Sequence, residues 1–312
     1  MTATLIRPET TKASPPPSST TTTPAPGARQ APKPRRKPSG KASAFGAVTR
    51  ALTLLGLLVL GFGIYLVVLS PVGQSRTQEN LFKTFSGQLA LATAPVDGTI
   101  PVGAPVAILQ IPSLGVSQVV VEGTTSGALM NGPGHRRDSV LPGQAGTSVV
   151  LGRSGLFGAP FADLADLEVG DSIVVTTGEG RSTFSVSNVR ESTAAVPPSS
   201  RDVVSSLVLS SAAPPLTPTH SLIVTATLTS AVLPGATTAT VIGSNERSLA
   251  GDPGAAVSLL LWLQLLLLTV VATTWGFLRW ERWPTYLLAT PVVLAVLWNV
   301  YESAAQLLPN TM

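Results

Sequence analysis

Hydrophobic positions along this chain fall into two textures. Three runs are apolar on every side. Residues 51–70 (ALTLLGLLVLGFGIYLVVLS) hold 20 positions without a charge, 253–278 hold 26, and 283–301 hold 19. As helices, each is long enough to cross ~30 Å of hydrocarbon. The second texture fills the stretch from Pro105 onward, where short Val/Ile/Thr-rich runs are separated by Gly, Pro, Asp and Ser. These runs are VAILQI, QVVVE, SVVL, SIVVTT, TFSVSNV, SLIVTATL and TATVIG. Alternate burial along so many short strands is satisfied most economically by closure, so the pattern predicts an all-β closed barrel between the first and second apolar runs. Ahead of it, Leu81, Phe85 and Leu89 recur at helical spacing with Arg76, Glu79 and Lys83 off the stripe, predicting a juxtamembrane helix over 75–92.

Charge adds orientation. Residues 1–50 carry nine Lys/Arg against Glu9 alone, a local +8 in a chain whose net charge is only +4. This Pro/Ser/Thr-rich basic tail, joined to an apolar run, reads as a disordered arm against an anionic leaflet rather than a nucleic-acid binder. The hairpin Arg279–Pro284 adds two Arg and two Trp. Positive-inside counting places the tail and that hairpin in the cytoplasm and everything from about 72 to 252 outside. The expected organisation is a basic tail over 1–50 and a transmembrane helix over 51–70, followed by the helix over 75–92. A barrel over 105–245 and transmembrane helices over 254–278 and 284–301 complete it. The N-terminus is expected in the cytoplasm and the C-terminus outside. A cleaved signal peptide fits the first run less well, because fifty polar residues precede it.

The chain contains no Cys. That removes disulfides, thiolate metal sites and cysteine nucleophiles together. No metal-ligand spacing and no phosphate-binding glycine loop occur, so neither a metal nor a cofactor is expected.

Several blocks in order, ILQIPSLGVSQVVVEG, ALMNGPGHRRDSVLPGQAGTSVVLG, GLFGAPFADLADLEVGDSIVVTT and SLIVTATL, resemble the sortases, membrane-anchored cysteine transpeptidases of Gram-positive cell envelopes. The resemblance implies an eight-stranded closed barrel with short helices, flanked here by transmembrane helices, and an active site combining His, Cys and Arg. Where the family His would follow Val149–Gly152 this chain has Arg153, and where the Cys would follow Leu222–Thr225 it has Ala226. The Arg is expected on the run 238–242, and no Arg occurs between Arg201 and Arg247. All three catalytic positions then stand vacant.

Alanine offers no lone pair for acyl transfer. Thr225, Thr227 and Ser230 flank Ala226, but a hydroxyl nucleophile needs an adjacent base, and the candidates are His135, His220 and Lys83. His220 is separated from Thr227 by roughly 20 Å if the strand is extended. His135 fits a hydrogen-bonded loop residue, and Asp163, Asp166 and Asp171 fit turn and cap positions. Arg153 is either a ligand contact in the old groove or an exposed loop residue. With His135 and Thr225 it completes the candidate contact set. The function this implies is a catalytically inactive sortase-like membrane protein binding an envelope protein or peptide, or scaffolding other membrane subunits. The alternative is an active transpeptidase or hydrolase with a non-cysteine nucleophile.

Overall fold

The computed structural model describes residues 40–193, 205–234, 241–279 and 282–312. The tail as far as residue 39, Arg201, residues 238–240 of the expected last strand, and Trp280 and Glu281 of the hairpin lie outside them.

Helix α1 (Gly40–Ile64) leads through a π turn at Tyr65–Leu69 into α2 (Ser70–Ala90). The sequence separates a span ending at Ser70 from a helix starting at Ser75, whereas the helix runs on through both. Pro71 is accommodated because the wider π turn lies just before it, at the first turn of α2, where a missing N–H costs least. Its apolar stripe is seated, with Phe85 fully buried.

Eight strands follow: β1 (Pro105–Ile111), β2 (Val116–Glu122), β3 (Gly134–His135), β4 (Thr147–Leu151), β5 (Ser172–Thr177), β6 (Gly180–Ser192), β7 (Ser206–Ala213) and β8 (His220–Leu228). They close into a barrel in the order β1-β2-β3-β4-β7-β8-β6-β5. The expected all-β closed barrel is present. Period-2 burial is clearest in β5 and β6, whose inward residues include Ile173, Val175, Phe184 and Val186. These meet Leu109, Ile111, Leu207 and Val224, and Phe161 and Leu164 from the β4–β5 connection join the same core. Six of the seven expected runs are strands. Of the seventh, 241–243 are irregular and 238–240 lie outside the described residues, and β7, in the Ser-rich SLVLSSAA, completes the barrel.

After a single turn at Ser244–Glu246 come α4 (Ala255–Arg279) and α5 (Arg282–Ala305). Three helical stretches, Val48–Ala90, Ala255–Gly276 and Leu287–Ala305, are long and apolar enough to cross a membrane. A second apolar cluster joins them to the barrel: Tyr65, Val300 and Tyr301 from the helices pack with Met130, Leu156 and Phe157. The Tyr301 hydroxyl donates to Leu58 O at 2.9 Å, which pins α5 against α1.

Candidate functional site

The parallel pair β4 and β7 defines one end of the barrel, because both strands finish there. Their register runs Thr147↔Ser206 to Leu151↔Ser210, so Gly152-Arg153-Ser154 emerge beside Ser210–Ala213. Three bonds stitch the two ends together. Gly152 N donates to Ser210 O at 3.0 Å, Ser211 Oγ donates to Gly152 O at 2.8 Å, and Ser154 Oγ donates to Ala212 O at 2.8 Å. Only glycine fits at 152, since a Cβ there would meet the Phe161 ring at 2.4 Å. The start of β8 joins this end, with His220 opposite Ala213.

Arg153 is completely buried. Its Nη2 donates to Ser126 O at 3.1 Å and Ser126 Oγ at 2.9 Å, and its Nη1 donates to Met312 O at 3.3 Å. The guanidinium lies 4.8 Å from the Phe157 ring centroid, within cation–π range. Among the described residues no Asp or Glu side chain pairs with it. Burial accordingly pushes its pKa down from 12.5 to about 9, with the nearby Tyr65 acting weakly the other way. The guanidinium nonetheless stays protonated at neutral pH, so Arg153 is a poor proton acceptor. Its bland alternative, an exposed loop residue, is excluded by its burial.

Thr225 and Ala226 are not brought to Arg153. Strand β8 runs antiparallel to β7, pairing Ile223 with Ser210 and Ala226 with Leu207. Along the ladder Ala226 is therefore five residues from the level of Arg153, roughly 16 Å at ~3.3 Å each. Its methyl points into the barrel core, fully buried beside Val224. The counterpart of β4 at this end is β7, so the placement of Ala226 as the partner of Arg153 is corrected. The sequence reading skips β7 because Ser210 and Ser211 interrupt its apolar run, and the shift of one strand follows.

His135, on β3, is buried with Nδ1 2.8 Å from Glu122 Oε2 and Nε2 2.9 Å from Val140 O. Ser139 Oγ lies 3.1 Å from the same Nε2, an arrangement that superficially matches a Ser-His-acid relay. However, a carbonyl only accepts, so Nε2 carries its proton toward Val140 and is not a base for Ser139. That hydroxyl donates instead to Arg136 O at 2.7 Å and accepts from Val149 N at 3.1 Å. All three side chains are sealed from solvent. The cluster ties β2, β3 and β4 together.

The remaining hydroxyls have ordinary work. Ser230 Oγ accepts from Thr183 N, and Asp171 Oδ2 accepts from Glu168 N in a tight turn. His220 contacts Thr219 Oγ1 at 2.9 Å and Glu191 Oε2 at 3.1 Å, while Lys83 pairs with Glu79 along α2. Among the described residues no three His, Asp or Glu side chains converge as metal ligands.

A closed eight-stranded barrel on membrane-length helices, with its conspicuous charge buried where two parallel strands end, defines the architectural class. Residues 109–229 match the family model of the sortase domain, and the barrel is a sortase-family domain in a chain without cysteine. Among solved structures it is similar to a sortase D5 transpeptidase from Clostridium perfringens (20% identity over 50% of this chain and 99% of that one, TM-score 0.43). It is also similar to the SrtF sortase from Corynebacterium diphtheriae (26%, 42% and 88%, TM-score 0.39). Sortase E from Streptomyces avermitilis is a third (28%, 42% and 91%, TM-score 0.35). No curated protein matches the chain.

Proposed function

We propose that this protein is a catalytically inactive sortase homologue of the cell membrane of a Gram-positive envelope, with its N-terminus cytoplasmic and its barrel outside. The barrel serves as a binding or scaffolding module for an envelope protein, a peptide or other membrane subunits. One observation carries the reading. At the end of the barrel where a nucleophile and a base would have to meet stands a buried, protonated Arg153. Around it the hydroxyls of Ser154 and Ser211 both donate to backbone carbonyls. We assign the vacant nucleophile position to the end of β7, within Ser211–Ala213. The strand after it opens with His220 and carries no Arg.

The test is a cleavage and transpeptidation assay on the full chain in nanodiscs, using fluorogenic sorting-signal peptides and an amine acceptor. It is run in parallel on a variant lacking residues 306–312, so that occlusion of the site is not mistaken for inactivity. Neither protein is expected to turn over substrate. Turnover by either one contradicts the reading.

A further inference from the structure

Where the first and third membrane-length helices reach the barrel, the structure leaves a cavity of about 130 Å³, more room than a single water needs. Its walls come from the π turn at Tyr65–Leu69 and the start of α2, from Met130 and Phe157 in barrel connections, and from Trp298 and Glu302 near the end of α5. A π turn is wider than an α turn, and such turns recur at functional sites. Three aromatic rings wall the space. Trp298 stands at 88° to Tyr65 with centroids 5.1 Å apart, and Phe157 stands at 72° to Tyr65 at 6.3 Å, so the rings form corners rather than a stack.

Glu302 is the one carboxylate of α5. It is half-buried, and among the described residues no ion pair or side-chain hydrogen bond engages it. The side-chain donors that α2 brings to the cavity are already committed: Ser70 Oγ donates to Leu66 O, Thr77 Oγ1 to Gly73 O at 3.1 Å, and Gln74 Nε2 to Gln118 Oε1 at 3.0 Å. Arg153 stacks on Phe157 but does not line the cavity. The space therefore offers a carboxylate, hydroxyl lone pairs and ring π systems. A carboxylate and electron-rich ring faces repel one another unless a cation lies between them, and that same cation is attracted by both. An ionisable side chain at the end of a span marks a site more often than it marks packing.

We propose that this cavity binds the ammonium group of a zwitterionic lipid headgroup, with Glu302 as counter-ion and Tyr65, Phe157 and Trp298 as a cation–π cage. The lipid is the source because the cavity opens where apolar spans end, at the level of headgroups, and Tyr and Trp are the residues that favour that level. The site uses no residue of β7 or β8, so it stands or falls apart from the vacant nucleophile position.

The test uses the full chain in nanodiscs of equimolar phosphatidylglycerol and phosphatidylethanolamine, released gently and weighed by native mass spectrometry. The retained lipid should be phosphatidylethanolamine, one per chain, enriched roughly tenfold over its bulk ratio. Glu302→Gln, nearly isosteric, should return the ratio to bulk, and Trp275→Leu, on a lipid-facing position of α4, should leave the enrichment intact. If Glu302→Gln does not fold, Trp298→Leu, at a partly exposed position, serves in its place and should also return the ratio to bulk. Ethanolamine added to discs of phosphatidylglycerol alone, against NaCl of equal ionic strength, separates the sources. No saturating rise in Tm is expected at millimolar ethanolamine. Such a rise without lipid retention overturns the lipid assignment in favour of a soluble amine. A bulk ratio in the parent, or undiminished enrichment in the folded variant, overturns the ammonium site.

Discussion

Replacing Arg153 by Met tests whether the buried guanidinium is held for stability or for docking residues 308–312, whose Met312 O it reaches at 3.3 Å. A pKa lowered from 12.5 to about 9 means that the charged form is disfavoured in its site by an amount on the order of 5 kcal/mol. Met fills much of the space of the aliphatic stem without that cost. Against this, the change removes a charged donor from Ser126 O, Ser126 Oγ and Met312 O, although Ser126 O keeps Met130 N at 3.2 Å and Ser126 Oγ keeps Leu308 O at 3.5 Å. At about 1.5–2 kcal/mol for each of these three hydrogen bonds to a charged group, the loss is roughly 5 kcal/mol. The two effects nearly cancel, and undocking of residues 308–312 would rehydrate the acceptors. We therefore expect Arg153→Met to change unfolding stability by no more than about 2 kcal/mol, or about 4–8 °C in Tm, measured at matched scan rate in the same nanodiscs. The pH dependence supplies a second reading. A base with a depressed folded-state pKa binds fewer protons when folded than when unfolded between about pH 9 and its ordinary value. Stability of the parent relative to Arg153→Met should therefore rise with pH above about 9. A loss of more than about 3 kcal/mol in the variant, or a relative fall with pH, would refute the argument.

The other expectations are narrower. Gly152→Ala drives a Cβ into the Phe161 ring and should cost about 1–3 kcal/mol in a denaturation experiment, with loosening of the Arg153 loop. A neutral result would mean that the loop is not clamped as described. His135→Ala leaves Glu122 buried without its partner and should cost about 3–5 kcal/mol, more than Arg153→Met, while leaving peptide binding to the folded fraction unchanged. Protease added to wall-stripped cells should cut the region between the first and second spans and spare an N-terminal tag. Loss of the tag would refute the orientation.

The barrel is legible in the sequence because its strands alternate. Ile173 and Val175, Phe184 and Val186, and Leu222 and Val224 each place apolar residues two apart, and closure follows from their number. The membrane-length helices are legible from the absence of charge alone. The site is harder to read. Arg153 stands out because it follows the strand and glycine of β4, but its neighbours depend on which strand lies parallel to β4. The sequence favours SLIVTATL as the more apolar candidate, whereas that partner is SLVLSSAA, whose Ser210 and Ser211 stitch the strand ends together. Local hydrophobicity carries no information about parallel pairing across a long crossover. Thr225 and Ala226 are consequently misplaced by about five residues along the sheet. Leu308–Met312 is further out of reach, since beyond its own turn bonds its partners lie more than fifty residues away in the chain and are mostly backbone groups. Proline before a polar pair gives no sign of burial against the barrel until the fold closes around it.

The central claim is that this sortase-family barrel recognises peptides without acylating itself. Its most direct test is intact-mass spectrometry with peptide mapping of the full chain after prolonged incubation with sorting-signal peptides, with and without residues 306–312. The account predicts unmodified mass in both proteins. A stoichiometric acyl adduct mapped to Ser154, Ser211 or any other hydroxyl would contradict it.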